Sequence, residues 1–370
     1  MKFKSISARN KRTGWNIENM EFNPMLTLLV GASGVGKTKV LNVIKTLARI
    51  AKGESFNGLE WKVEFEQNEH DYVWEGEFVY GGDVGVELLT SEYEVVFAVA
   101  REKIIEDDIV LVDRVPDSIK FLNREIVKLD STKSVVELLK EESSIKSIYE
   151  GFKQCYSLDI TDVVIQISNY PLYKEKRFDI KQIKQFRSTS LLEKLFLLRE
   201  NGLQEFDVIV QKFKGVFPAI ENIDFKLVES VNHLYFLYLR IKENNVSTWI
   251  DQPDISSGMM RTLLQIITLI LANDGDVIMI DEFENGLGVN CINELAYLIM
   301  EPEANIHVVM TSHHPYIINA IPVKDWMILT RNGSNVHVHT ADELHIGEHS
   351  KHEAFMQLMQ TPEYRTGQNR

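Results

Sequence analysis

The sequence predicts an α/β fold: a mixed sheet with flanking helices, an antiparallel β subdomain and a mainly helical insertion. Two short apolar runs, at residues 28–30 and 277–280, carry the prediction of the sheet. Runs of this kind are typical of buried parallel strands. Residues 59–80 alternate apolar and polar side chains, which favours antiparallel strands with one solvated face. Because the two apolar runs lie near opposite ends of the chain, the sheet must be assembled from both ends.

The first half of the chain predicts a regular series of elements. Residues 1–30 alternate and then become fully apolar, which predicts an edge strand followed by a buried strand. A helical pattern begins at Val40, and a turn is expected near residues 67–69. Ser131 or Thr132 is the expected N-cap of the next helix. Strand patterns lie at residues 59–80, 95–99, 109–112 and 121–127.

Helical patterns dominate the middle of the chain. Residues 180–215 are rich in Lys, Glu and Leu, and no heptad is sustained long enough for a long coiled coil. Strand patterns return near residues 223–240. These changes predict an N-terminal lobe (1–115), a mainly helical insertion (116–229), a C-terminal lobe (230–340) and a tail (341–370).

Composition restricts the class of protein. The chain has 370 residues, 44% of them hydrophobic, and a net charge of −14, so any nucleic-acid contact must come from a local basic patch. The longest apolar stretch, residues 263–272, is too short to cross a bilayer, and the N-terminus lacks a signal-peptide core. Two isolated cysteines, Cys155 and Cys291, are typical of a reducing cytoplasm.

The first apolar run leads into a phosphate-binding loop of the form G-x-x-x-x-G-K-T. Glycines let backbone N–H groups wrap a phosphate chain, and the following helix directs its positive end at the anion. Lys37 is expected to reach the β- and γ-phosphates, and the Thr38 hydroxyl to ligate Mg²⁺. The expected nucleotide contacts are Gly31, Ala32, Ser33, Gly34, Val35, Gly36, Lys37, Thr38 and Lys39.

The second apolar run ends in two carboxylates. Asp281 is the predicted Mg²⁺ ligand, because this ion prefers one or two carboxylates together with phosphate oxygens. Glu282 is the candidate to orient or deprotonate an attacking water. A strand ending in an acidic loop is weak evidence for a nucleotide site by itself. Together with the phosphate loop it supports one.

Two further segments complete the candidate site. His313 follows another apolar strand, where a histidine can sense a terminal phosphate. Ser256, Ser257 and Gly258 precede a strongly amphipathic helix and can present N–H groups and hydroxyls to an anion. Taken singly, the segments are better explained by a structural histidine and a plain N-cap.

Together the segments resemble the nucleotide-binding domain of ABC-type ATPases, and most closely the soluble SMC, RecF and OLD-like branch, which includes "AAA ATPase" families of bacterial defence operons. Met259 and Gly288-Val289 depart from the usual motif text, and Gln67 is a weak candidate for the Q-loop glutamine. The matching segments are Walker A (31–38), the signature (255–259), Walker B (280–282), the D-loop (283–287) and the histidine switch (312–318).

The resemblance implies an ATPase that uses ATP and Mg²⁺. It implies that the signature, with Ser256 in its serine position, completes the site of a second copy, giving a head-to-tail homodimer or higher homo-oligomer. Such ATPases in anti-phage systems control a separate effector, of nuclease or Toprim type, and the short helix expected at residues 354–359 is a candidate docking element. No membrane contact is expected.

Other interpretations stay open. A RecF-like DNA-repair ATPase and a nucleotide-dependent scaffold with little hydrolysis are the alternative functions. A basic segment could contact DNA phosphates, although a solvated helix face is favoured; it contains Lys174, Lys176, Arg177, Lys181, Lys184 and Arg187. Late histidines favour a solvated tail over a metal site; they are His337, His339, His345, His349 and His352.

Overall fold

The computed structural model describes residues 1–82, 96–158, 165–167, 176–186, 189–229, 235–347 and 351–368. The chain divides into two compact units. The first unit comprises Met1–Ser157, Gly275–Phe283 and Asn305–Arg370, and the second comprises Leu158–Asp274 and Glu284–Ala304. Residues 116–157 therefore lie with the phosphate loop, and residues 230–274 lie with the helices of the second unit.

The strands, in chain order, are β1 Lys2–Asn10, β2 Asn16–Glu21, β3 Leu26–Val30, β4 Leu59–Gln67, β5 His70–Phe78, β6 Val99–Glu106, β7 Ile109–Val115, β8 Ser118–Phe121, β9 Arg124–Glu125, β10 Cys155–Ser157, β11 Ile165–Ile167, β12 Ile220–Glu229, β13 Tyr235–Glu243, β14 Trp249–Asp251, β15 Val277–Ile280, β16 His307–Thr311, β17 Trp326–Asn332 and β18 Asn335–Thr340.

The helices are α1 Lys37–Ile50, α2 Val135–Leu138, α3 Ser143–Lys153, α4 Ile180–Gln185, α5 Leu191–Glu200, α6 Gln204–Val216, α7 Ser257–Ile270, α8 Val289–Met300, α9 Pro315–Ala320, α10 Lys351–Gln360 and α11 Pro362–Thr366. Short 3₁₀ turns span Gln252–Asp254 and Val323–Asp325. Among the described residues, no helix combines the length and the apolar character that crossing a membrane requires.

One mixed sheet forms the frame of the first unit. Its order is β10-β15-β16-β3-β17-β18-β2-β1-β4-β5-β6-β7-β8-β9. The strands from β10 to β17 in this order are parallel neighbours, whereas β1 and β4 to β9 pair antiparallel. Every residue of β3, β15 and β16 is buried, as continuous apolar runs in a parallel sheet require. The expected α/β architecture is confirmed.

Aromatic packing stabilises the antiparallel part. The rings of Trp61 and Trp74 meet edge to face, with centroids 5.5 Å apart, and Phe152 of α3 packs on Trp74 at 4.9 Å. A Cβ at Gly76 would lie 2.3 Å from the Trp61 ring, so this strand position has no room for a side chain. The alternation in β4 and β5 therefore buries one face against α3.

The second unit consists mainly of helices with a small antiparallel sheet. Strand β13 pairs with β11, β12 and β14. Helix α7 is the apolar centre, because it is buried along most of its length and contacts α5, α6 and α8. The apolar positions expected after Gly258 are buried, but Thr262, Gln265 and Thr268 are buried as well, so from residue 262 to 270 this helix has no solvated face and is not exposed on one side as an amphipathic helix would be.

Two local expectations are wrong, and one strand is additional. β1 lies between β2 and β4 and is not an edge strand; alternation also occurs in an interior antiparallel strand that has one solvated face. Ser134, and not Ser131 or Thr132, caps α2, because its hydroxyl accepts from Val136 N. β10 has no counterpart among the expected strands.

The cap of α2 is tied to a buried carboxylate. Glu102 accepts hydrogen bonds from Trp74 Nε1 (2.9 Å), Ser134 Oγ (2.5 Å) and Val135 N (2.9 Å). Arg114 lies 3.8 Å away and also donates to backbone carbonyls of the loop before α2. Burial raises the pKa of Glu102, while these donors and Arg114 favour its charged form. A tertiary contact therefore selects the start of this helix.

His307 of β16 is fully buried. Its Nδ1 accepts from Phe3 N at 3.2 Å, and its ring packs against the rings of Phe3 and Phe22. Burial, helped by nearby positive charge, lowers the pKa of His307 to about 3. The imidazole is therefore neutral in the folded protein at every pH above that value.

We predict that this histidine makes the protein acid-sensitive. Between about pH 6.5 and 3 the unfolded chain binds a proton at His307 that the folded protein does not, so stability falls as pH falls, by up to about 1.4 kcal/mol per pH unit. His307→Asn keeps an acceptor for Phe3 N and cannot titrate. Urea unfolding from pH 7 to 4.5 should give a shallower pH dependence for the variant; equal slopes would contradict the prediction.

Candidate nucleotide-binding site

Three neighbouring parallel strands end at the same edge of the sheet. Residues 31–36 follow β3, Asp281 and Glu282 follow β15, and the segment containing His313 follows β16. In parallel sheets the carboxyl ends of the strands form the usual ligand site. The first unit therefore brings together the phosphate loop, the acidic pair and the switch histidine that the sequence predicts.

The phosphate loop needs its glycines. Gly31, Gly34 and Gly36 have φ values of 146°, 83° and 114°, a region that favours glycine. A Cβ at Gly31 would also lie 2.5 Å from the carbonyl oxygen of Leu329 on β17. The loop thus passes close to the neighbouring strand and enters α1 directly at Lys37. Val35 is buried in the core, so among these residues its side chain anchors the loop.

The side chain of Lys37 folds back onto the phosphate loop. Its Nζ donates to the carbonyl oxygens of Gly31 (2.8 Å) and Ala32 (3.0 Å), and the side chain is buried. Ser33 and Thr38 are exposed beside it. A positive group held at the N-terminus of a helix, next to glycine amides, is suited to bind phosphate.

Lys39 is exposed in the first turn of α1. Its Nζ lies 6.0 Å from the centre of the Trp15 ring, a cation–π contact. Lys39 and Trp15 also line a cavity of about 230 Å³ together with Asn42 and Thr46. This side chain is therefore placed toward a mixed aromatic and polar cleft beside α1.

Thr38 and Asp281 meet across the two loops. Thr38 Oγ1 donates to Asp281 Oδ1 at 3.2 Å, over a sequence separation of 243 residues. Neighbouring oxygens around an octahedral Mg²⁺ with bonds of 2.0–2.1 Å lie about 3 Å apart. The separation of these two oxygens and their chemistry both fit one hard cation shared between them.

Thr311, the last residue of β16, holds the acidic pair in place. Its hydroxyl donates to Asp281 Oδ1 (2.7 Å) and accepts from Glu282 N (2.7 Å), while its carbonyl accepts from Phe283 N (3.0 Å). Glu282 has φ +46°, which is uncommon for a non-glycine residue, and its side chain is exposed. Sequence reasoning gave Thr311 no role; a buried hydroxyl ending an apolar strand is the signal it carried.

The two adjacent histidines differ in placement. His314 is the N-cap of α9: its Nδ1 accepts from Tyr316 N at 3.3 Å, and the two rings stack. His313 is half-buried between Ser312 and this cap. A structural role is therefore evident for His314, and the sensing role expected of His313 stays a prediction.

The signature residues belong to the second unit, where they meet the D-loop. Ser256 caps α7 by accepting from Met259 N at 3.2 Å, and Ser257 is exposed in the first turn. A Cβ at Gly258 would lie only 2.7 Å from the carbonyl oxygen of Gly286. The signature and the D-loop are therefore in backbone contact.

The remaining sequence candidates are less organised. Of the basic segment, Lys176 and Lys181 are exposed, Arg177 donates to Glu200 O, and Lys184 donates to Ala272 O. Lys174 and Arg187 lie outside the described residues, as does His349, and no side-chain placement is described for His352. In the described part of the chain, no group of three His, Cys, Asp or Glu side chains could hold a metal.

Gln67 and the two cysteines pack within the fold. Gln67 ends β4 in the antiparallel part of the sheet, and its side chain packs near Gly151 of α3. Cys155 and Cys291 are buried, and neither forms a disulfide.

Three solved structures resemble the chain modestly in three dimensions. The SMC head bound to the C-winged helix domain of ScpA is 12% identical with a TM-score of 0.48, covering 92% of this chain and 97% of that chain. The SMC head domain from Thermotoga maritima is 12% identical with a TM-score of 0.44, covering 92% and 99%. The Smc head domain with an extended coiled coil, bound to the C-terminal domain of ScpA derived from Pyrococcus furiosus, is 13% identical with a TM-score of 0.42, covering 92% and 97%.

None of the curated proteins matches the chain. A profile of the AAA_21 family, described as "AAA domain, putative AbiEii toxin, Type IV TA system", matches residues 26–319. That range includes the phosphate loop, the signature, the acidic pair and the switch histidine. The chain therefore belongs to the AAA_21 family of P-loop ATPase domains.

Proposed function

We propose that this protein is an ATPase subunit in which ATP binding pairs two copies head to tail, and that this switch controls a separate effector in defence against phage. The observation that carries the proposal is the cluster of Thr38, Asp281, Thr311 and Glu282 beside the phosphate loop. Family membership supports the use of a nucleotide. The effector, of nuclease or Toprim type, and the defence role rest on the family resemblance.

The phosphate loop supplies binding. Backbone N–H groups of residues 31–36 and the N-terminus of α1 surround the phosphate chain, and Lys37 exchanges its carbonyl partners for phosphate oxygens. We place the base of the nucleotide in the cleft lined by Trp15 and Lys39, which offers an aromatic ring and polar side chains.

Thr38 and Asp281 would hold Mg²⁺. When bound, this ion neutralises charge that develops on the phosphate oxygens. Glu282 is exposed at the same edge of the sheet, where its carboxylate can orient a water and accept its proton. His313, on the neighbouring segment, is proposed to contact the terminal phosphate and report whether it is present.

The second copy would complete the site through Ser256 and Ser257. Both serine residues are exposed at the start of α7. The rest of this 14-residue helix is largely buried, so its N-terminus is held rigidly and can face an anion. We also place the protein in the cytoplasm, because its two cysteines are buried thiols that form no disulfide. Any DNA contact in this proposal would be made by the exposed Lys176 and Lys181, next to and within α4.

Glu282→Gln tests the assignment of the water-activating group. Loss of one general base typically costs about 10²–10⁴-fold in rate, so we expect ATP binding to persist while kcat falls by that factor. With Mg²⁺-ATP the variant should accumulate as a dimer in light scattering. Glu303→Gln, at an exposed carboxylate outside the site, is the control. Hydrolysis at the wild-type rate would refute the assignment.

Thr311→Val and Thr311→Ser test whether the hydroxyl positions the acidic pair. Valine keeps the shape but removes both hydroxyl hydrogen bonds, so we expect kcat to fall about 10-fold or more and the Mg²⁺ concentration for half-maximal rate to rise. Serine restores the hydroxyl and should recover most of both. A melting temperature that falls in both variants, with no difference between their Mg²⁺ dependences, would indicate a purely structural role.

Ser256→Asp and Ser256→Asn test pairing through the signature. Both residues are good N-caps, so both variants should stay within about 0.5 kcal/mol of the wild type in unfolding free energy. Aspartate adds a negative charge where the partner's phosphate would lie, so it should abolish ATP-dependent dimerisation while nucleotide binding by the single subunit persists. Asparagine should weaken dimerisation much less. Dimers formed equally well by the aspartate variant would contradict head-to-tail pairing.

A further inference from the structure

The C-terminal segment returns to the phosphate loop. Gly367, immediately after α11, is buried and has φ +67°. Its carbonyl accepts from Arg331 N at 2.7 Å, which joins the segment to the end of β17. A Cβ on Gly367 would lie 2.6 Å from Val35 Cγ1 and 3.1 Å from Ala32 Cβ. The chain therefore touches the loop at a point where only glycine fits.

Arg331 adds a second contact at the same place. Its Nε donates to Gly333 O at 2.6 Å, and its Nη1 donates to Gly34 O at 3.4 Å. One residue thus pairs with Gly367 through its backbone and with the phosphate loop through its side chain. Arg331 and Gly367 therefore both contact the phosphate loop.

The other end of the segment lies against the helix that follows His313. Helix α10 packs on α9 and buries Ala354, Phe355 and Leu358. Gln357 Oε1 accepts from Gly347 N at 2.8 Å, which fixes the approach of the chain to α10. The segment therefore connects the two parts of the first unit that face the proposed phosphates.

Helix α11 is short and has no buried residue. Thr361 caps it, and it contacts β17 and α10. Elements with little buried apolar surface open at low free-energy cost. Its contact with the loop can therefore be made and lost without unfolding the unit.

We propose that residues 351–368 form a strap that positions the phosphate loop, and that Gly367 sets nucleotide affinity by holding Ala32 and Val35 in place. The proposal rests on the proposed binding of ATP. Anything that displaces α10 or α11, including a partner protein on the exposed face of α10 at Met356 and Met359, would then change that affinity.

Gly367→Ala in the full chain is the test, and Gly202→Ala is the matched control. Both glycines have positive φ, +67° and +64°, so both variants carry similar backbone strain. A Cβ at Gly202 meets nothing within 4 Å, whereas one at Gly367 collides with Val35. Either the loop or the strap must move in the Gly367 variant, and each response breaks the contact.

We expect Gly367→Ala to raise the Kd for Mg²⁺-ATP about fivefold or more, with kcat at saturating ATP within about twofold of the wild type. Gly202→Ala should leave Kd unchanged, and its melting temperature should fall only by the backbone strain that the two variants share. Arg331→Gln, which removes the Gly34 contact without adding a clash, should raise Kd in the same direction. Unchanged Kd in Gly367→Ala, with the variant folded, would overturn the proposal.

Hydrogen exchange of the nucleotide-free protein separates this proposal from the one on which it rests. Amides of residues 31–36 should exchange faster in Gly367→Ala than in the wild type or in Gly202→Ala. If the wild type fails to bind ATP, the proposed function fails, and the exchange result alone decides on the strap. Equal exchange in all three proteins would then overturn it.

Discussion

The parallel pairing of β15, β16 and β3 is the constraint on which the candidate site depends. In this register Ile280 lies opposite Met310, and Thr311 lies opposite Leu29. Three loops that are far apart in the sequence therefore leave the sheet side by side. A slip of one residue in β16 would turn the Thr311 hydroxyl to the other face of the sheet. The acidic pair would then lose the group that orients it.

The charged side chains of Lys37 and Asp281 form hydrogen bonds with neutral groups. Lys37 donates to two backbone carbonyls, and Asp281 accepts from two hydroxyls. A lysine ammonium is attracted more strongly by a phosphate oxygen, which carries negative charge, than by a neutral carbonyl oxygen. Replacing the carbonyls by phosphate oxygens, and a hydroxyl hydrogen bond by a metal ion, is therefore favourable. The folded protein holds both groups in position before any ligand arrives.

The local part of this arrangement could be predicted from the sequence. The glycine loop with Lys37 and Thr38, and the strand ending in Asp281 and Glu282, are short motifs whose geometry is set by adjacent residues. Thr311 bonds to Asp281, 30 residues away, and Gly367 contacts the loop at Ala32 and Val35 from the far end of the chain, so no local pattern encodes either position. The N-cap of α2 also depends on a contact that is not local in the sequence. Ser131, Thr132 and Ser134 are equally good caps in isolation, and the buried carboxylate of Glu102 selects Ser134.

The contact between Gly258 and Gly286 has a consequence for how two sites in a pair would behave. Because backbone lies directly on backbone there, with no flexible side chain to absorb movement, the serine-bearing end of α7 and the D-loop must shift together. In a head-to-tail pair, the signature of each copy reads the nucleotide held by its mate. Loss of phosphate at one site would therefore reach the other copy's D-loop as a rigid displacement, and turnover at the two sites would be coupled, with a sigmoidal dependence on ATP concentration.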